Sequence, residues 1–337
     1  MNVVVRAVVH IGPIKTGSTA LASYFSRAAG RGLLPDNIVY PMGDLWFGRQ
    51  SSGPVKHHPE IAGTPSNEDG TFRFAVPEVV AAVATVATVL RNSPGAGDKT
   101  AVFVIETVTD SRPPTLIQEL FTSVFDEVIF VMVARRQDKA AASALAQDIK
   151  SRKLRGTNLD PRKREPLHGQ PFGEFNHLRN FERWVSGPSN YSLVVIPYIE
   201  GEHGTYSSIE RFHRAGGLGD PVDLPGIEGH RIHPTFSREG LDVMVKLNKR
   251  IKKWGHLPGV SSARSKRFDA ISKVYLHAAN QNGIEPSGRR FTPFSLTEDQ
   301  SRWVLEQFEE SNRELIARVK QGPFEDDWNT WERALNA

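Results

Sequence analysis

Residues 3–25 constrain this chain most: VVVRAVVHI, then the turn GPIKTGST, then ALASYF. The first nine are almost wholly apolar and β-branched, as in a strand covered on both faces, and Leu21, Tyr24 and Phe25 then switch to helical spacing. Between the two, the amides of residues 15–19 fall at a helix N-terminus, where aligned peptide dipoles sum to roughly half a positive charge. Ser18 and Thr19 add hydroxyl donors there, and Lys15 adds a full charge. A strand, turn and helix of this make-up cradle a phosphate-like anion.

The pattern repeats without the turn. Apolar runs at 100–107 (TAVFVIET), 127–134 (EVIFVMVA) and 191–197 (YSLVVIP) read as buried strands, with a shorter strand at 37–41. Helical spacing covers 76–90, 113–121, 138–150, 175–185 and 206–215. Alternation of this kind predicts an α/β fold, a central parallel sheet flanked by helices. The last third reads as helical over 238–254, 262–282 and 297–319, the last opening on Thr297 with an acidic residue in the first turn as a cap signal. Residues 43–72, rich in Gly, Ser, Pro and His, read as a long loop of the kind that carries function. Residues 151–164 hold Arg152, Lys153, Arg155, Arg162, Lys163 and Arg164 against Asp160, and read as a mobile basic loop.

Composition narrows the function classes. With 337 residues, 39% of them hydrophobic and 24% charged, the chain can bury a sizeable core, and we expect one domain over 1–337: an α/β core at 1–200 and a mainly helical part at 201–337. There are no cysteines, which excludes thiol nucleophiles, cysteine-ligated zinc and disulfides. A net charge of +4 suits an anionic ligand without requiring nucleic acid. No run approaches the roughly 18 apolar residues of a spanning helix, and Arg6 interrupts any signal-like stretch, so a cytoplasmic protein without a membrane partner is expected.

The lysine position separates this turn from the usual nucleotide-triphosphate loop, in which lysine follows the second glycine. Here Lys15 precedes Gly17. The order His-Ile-Gly-x-x-Lys-Thr-Gly-Ser-Thr after the first strand resembles the 5′-phosphosulfate loop of sulfotransferases that use 3′-phosphoadenosine-5′-phosphosulfate (PAPS). A second motif sharpens the resemblance: Arg135-Arg136-Gln137-Asp138 ends the 127–134 strand, and Ser143 follows Arg135 by eight residues. In sulfotransferases an arginine and serine at this spacing hold the 3′-phosphate of PAPS, and the bacterial-type members commonly carry the Arg-Arg-Gln-Asp string. A guanidinium grips phosphate oxygens bidentately while a hydroxyl donates a third bond. Read from the residues alone, Arg135 and Arg136 also suit a strand end salt-bridged to Asp138. Softer likenesses lie at 175–184, at 237–248 and at 308–312. Two departures stand out: Ala20 occupies the place where many members have an adenine-stacking tryptophan, and no Arg-Lys-Gly motif follows, only the exposed-looking pair Arg289-Arg290.

The resemblance implies a P-loop-like three-layer fold with PAPS as cosubstrate, held by Lys15, Thr16, Gly17, Ser18, Thr19, Arg135 and Ser143, and no metal. It implies sulfuryl transfer to the hydroxyl or amine of a small-molecule or carbohydrate acceptor. Lys15 suits the leaving oxygen. Glu106, ending a buried strand at the carboxyl edge of the sheet, is the first choice of base. His57 and His58 compete from the long loop, since imidazole titrates near neutrality. His10 is open between a donor contact and a buried strand-end histidine bonded to backbone. A P-loop small-molecule kinase is the alternative reading.

Overall fold

The computed structural model describes residues 3–13, 16–42, 64–65, 72–73, 77–94, 97–106, 114–150, 158–164, 166, 169–185, 190–199, 204–224, 236–254 and 290–336. The side chains of residues 64–65, 72–73, 78, 106, 150, 204–206 and 250–254 also lie outside that description. The chain divides into two compact units: Met1–Arg135 with Asn176–His230 and Glu310–Ala337, and Arg136–Phe175 with Arg231–Glu309.

The first unit is built on a five-stranded parallel sheet flanked by helices. Its strands are β1 (Val5–Gly12), β2 (Ile38–Val39), β5 (Lys99–Glu106), β6 (Glu127–Arg135) and β7 (Tyr191–Tyr198), in the order β2-β5-β1-β6-β7. A separate antiparallel pair joins β3 (Thr64–Pro65) to β4 (Phe72–Arg73), inside the stretch expected to be wholly loop. The buried apolar runs form strands close to their expected bounds, because both faces of β1, β5 and β6 are covered. Val5, Ala7, Val8, Val9 and Ile11 are fully buried, as are residues 101–105.

Register assigns the two faces. Val9 pairs with Phe103 and Phe130, so these three side chains point the same way. On that face, α3 (Pro114–Thr122) brings Phe121 to 5.0 Å from Phe103 and 6.0 Å from Phe130, and α5 (His177–Val185) brings Trp184 to 4.9 Å from Phe130. α2 (Pro77–Asn92) buries Val79, Val83, Val86 and Leu90. His10 points the other way, towards Phe212 of α6 (Gly204–Gly216), whose neighbour Phe25 stands on α1 (Ser18–Gly30). Truncating a phenylalanine in such a cluster costs about 3–5 kcal/mol.

The C-terminal part of this unit holds α9 (Glu309–Val319) and α10 (Glu325–Asn336). Trp328 and Trp331 of α10 are buried edge-to-face at 5.4 Å, and Asp327 binds both Arg211 and Arg214 of α6. A continuous helix over 297–319 is not what forms. α8 (Glu298–Glu306) ends in two tight turns, Gln307 N–H to Val304 and Phe308 N–H to Leu305, and α9 begins directly after. Phe308, at the break, is buried.

The second unit is helical. It contains α4 (Gln137–Lys150), α7 (Arg238–Trp254) and α8, and Asn248 of α7 donates to the Ile149 carbonyl of α4 at 3.0 Å. Thr297 caps α8 through a reciprocal pair with Gln300. The described end of the basic segment is tied down. Asp160 caps the short turn Pro161–Lys163 and pairs with Arg162, whose guanidinium holds the carboxyl below its ordinary pKa. The half-buried Arg164 pairs with the buried Glu174 and Asp148, with its guanidinium 4.4 Å from the Phe172 ring centroid. The expected mobile basic loop is thus corrected for residues 158–164, because buried carboxylates supply the partners solvent was expected to supply. Residues 151–157 and the expected helix at 262–282 lie outside the described residues.

Candidate functional site

The site grows from the carboxyl edge of the sheet, where β1 gives way to α1. Gly12, the last residue of β1, is opposite Glu106, the last residue of β5. A methyl group on Gly12 would stand 2.7 Å from the Thr16 hydroxyl and 3.4 Å from the His10 ring, so the turn closes only around glycine. Thr16 is buried and donates its hydroxyl proton to the Pro13 carbonyl at 2.8 Å, which fixes the turn from inside.

Gly17 is the N-cap of α1 and has a φ of 95°, a left-handed conformation that penalises residues with a Cβ. Gly17 has no side chain with which to cap the helix, and among the described residues no other side chain is seen to do so. The Ala20 and Leu21 amides reach the Gly17 carbonyl, while the Ser18 and Thr19 amides, one turn too early for an intrahelical acceptor, head the helix. Together with the buried Ser18 and half-buried Thr19 hydroxyls they make a set of donors of the chemistry that suits an anion at a helix N-terminus.

Beside Gly17 stands Tyr198, the last residue of β7. A methyl on Gly17 would sit 3.4 Å from the Tyr198 ring, and the Arg135 guanidinium carbon lies 5.1 Å from the centroid of that same ring. Arg135 and Tyr198 are register partners at the ends of β6 and β7. One aromatic ring therefore joins the turn of β1 to the arginine of β6. Tyr198 was missed in the sequence because the apolar run ends at Pro197; its one signal is its position at the carboxyl end of a parallel strand, where ligands of open α/β sheets bind.

The two adjacent arginines have different fates. Arg136 pairs bidentately with Asp138 at 2.8 Å, as the residues alone allowed, whereas Arg135 lies on Tyr198. His177, at the start of α5, is fully buried with Nε2 at 2.7 Å from the Arg135 carbonyl, and burial lowers its pKa to about 4. His10 is also fully buried, its Nδ1 3.4 Å from the Ile105 carbonyl, the backbone-bonded strand-end placement. Ser143 is half-buried on α4, within the second unit. Lys15, His57, His58, Arg289 and the Glu106 side chain lie outside the described residues, while Arg290 is exposed.

Among the described residues no group of three or more His, Asp or Glu side chains could hold a metal ion, and no helix is long and apolar enough to cross a membrane. No protein-family model matches the chain, and no curated protein matches it.

Proposed function

We propose that the chain is a sulfotransferase that moves a sulfuryl group from PAPS to a hydroxyl or amine of a small-molecule or carbohydrate acceptor. The observation that carries the proposal is the turn at residues 12–19: lysine before glycine in sequence, a left-handed Gly17 heading α1, and Arg135 joined to it through Tyr198. These residues fit a ligand with two separate anionic groups, one at the α1 amides and one at the Arg135 guanidinium.

PAPS supplies an activated sulfuryl group whose transfer is mostly positioning and electrostatic stabilisation. The chain's residues divide the remaining work. The Ser18 and Thr19 amides and hydroxyls hold the 5′-side anion at the positive end of α1. Arg135 grips the 3′-phosphate, and the family resemblance gives Ser143 the same ligand. Lys15 neutralises the leaving oxygen, a role whose loss typically costs about 10² to 10³ in rate. Glu106, at the strand end opposite Gly12, takes the acceptor proton, with His57 and His58 as the competing bases.

The test is thermal stabilisation by adenosine 3′,5′-bisphosphate, in wild type and in Arg135→Ala. Stabilisation of wild type that is lost in Arg135→Ala supports the donor assignment. No stabilisation at millimolar ligand overturns it, and stabilisation by ATP with Mg²⁺ instead points to a kinase. Lys15→Ala should bind the bisphosphate yet lose transfer, and near-normal turnover of Glu106→Gln would move the base to His57 or His58.

A further inference from the structure

We infer that His177 is a positioning residue for the 3′-phosphate grip, acting through the backbone of Arg135; the inference rests on the donor reading above. Arg135 is the last residue of β6, where the ladder to β7 ends at its pairing with Tyr198. His177, on α5, holds the Arg135 carbonyl from 2.7 Å away, and both groups lie in the first unit. A peptide carbonyl bonded to a buried side chain fixes the orientation of its peptide group and so of the backbone from which the side chain of that residue departs.

The protonation state follows from the geometry. A carbonyl oxygen only accepts, so Nε2 carries the proton and Nδ1 does not. Nδ1 is buried with no hydrogen-bond partner among the described residues, so a second proton there has nowhere to donate. The pKa of about 4, lowered by burial, agrees: the ring stays neutral and keeps one tautomer. A fixed donor on a fully buried ring is a rigid brace. Held by it, the Arg135 peptide sets the direction in which the guanidinium leaves the strand, over the Tyr198 ring.

A brace acting only through Arg135 makes a selective prediction. It matters for ligands with a 3′-phosphate and not for those without one. Methionine and glutamine have similar shapes, but only glutamine brings an N–H donor to roughly the place of Nε2. His177→Met should therefore weaken binding of adenosine 3′,5′-bisphosphate about tenfold, in line with loss of one good hydrogen bond. It should leave adenosine 5′-monophosphate binding unchanged. His177→Gln should recover most of the loss, and His177→Met combined with Arg135→Ala should bind no worse than Arg135→Ala alone.

The experiment is calorimetric titration of wild type and the four variants with both nucleotides, beside amide hydrogen exchange over residues 133–136. Equal loss of both nucleotides in His177→Met, or wild-type affinity for the bisphosphate, overturns the inference. Should His177→Met fail to fold, His177→Asn, whose amide ends one bond short of the carbonyl, takes its place. If wild type binds neither nucleotide, the donor reading fails by itself, and the brace is then judged by exchange: unchanged protection of residues 133–136 in the variant overturns it.

Discussion

The two units are held together by different means. In the first, β1, β5 and β6 bury unbroken apolar runs, and the Phe103, Phe121, Phe130 and Trp184 rings fill one face of the sheet. In the second, the half-buried Arg164 pairs with the buried carboxylates of Asp148 and Glu174 and lies on the Phe172 ring. Burying apolar surface is stabilising wherever the pieces fit. Burying an ion group is costly unless every partner is present, so it rewards one arrangement and penalises the rest. The sheet is thus a tolerant scaffold, and the Arg164 cluster is a lock with one setting.

That contrast can be broken most forcefully from the sheet side. Phe130→Ala should cost about 4 kcal/mol, read as a lower urea midpoint, because it empties the space between Phe121, Trp184 and Tyr191. A loss under about 1 kcal/mol would mean that the cluster is not close-packed.

Next in size is the lock. Arg164→Met should cost about 3 kcal/mol by leaving two buried carboxylates without their cation. Neutralising those as well, in Arg164→Met with Asp148→Asn and Glu174→Gln, should return stability to within about 1 kcal/mol of wild type. If the triple variant is no better than the single one, the cluster stabilises by shape rather than by charge.

Between pH 7 and about pH 4 acid probes the first unit through two histidines. Burial lowers His177 and His213 from 6.5 to about 4 in the fold. Between those values the unfolded chain binds the extra protons and the folded chain does not. Stability is therefore complete above about pH 6.5 and falls as pH drops towards 4, by up to about 3 kcal/mol for each ring. A urea midpoint that stays level from pH 7 to pH 4.5 would contradict this. The smallest effect belongs to the second unit: Thr297→Ala should cost about 1 kcal/mol through loss of the reciprocal Thr297–Gln300 cap and should leave nucleotide binding untouched.

What was legible in the sequence follows the same division. The strands of the sheet fall within a residue or two of their apolar runs, except that 37–41 forms only Ile38–Val39. Helical periodicity found α1 to α7 but ran through the break at Gln307 and Phe308, since period alone does not register a tight turn at which one ring is buried. The second unit's basic segment was misjudged for a related reason. Arg164 lies ten residues from Glu174 and sixteen from Asp148, and no local pattern pairs them.

At the candidate site, the turn at 12–19 and Arg135 were visible because strand, glycine, lysine and arginine carry their chemistry in their order. Tyr198 and His177 were not visible. Each acts by standing against something distant in sequence, the Tyr198 ring against Gly17 and Arg135, the His177 ring against the Arg135 carbonyl.

The sequence by itself determined the parallel sheet, the turn that follows its first strand and the helix that the turn opens. All three depend on backbone sterics and local hydrophobic period, which act over a few residues. The tertiary structure alone decided which arginine of the adjacent pair stays on the sheet edge and which is taken up by Asp138. It also decided that Tyr198 would link the turn to Arg135 and that a neutral histidine would brace it. Those choices depend on register between strands and on burial, and neither exists until the chain has folded.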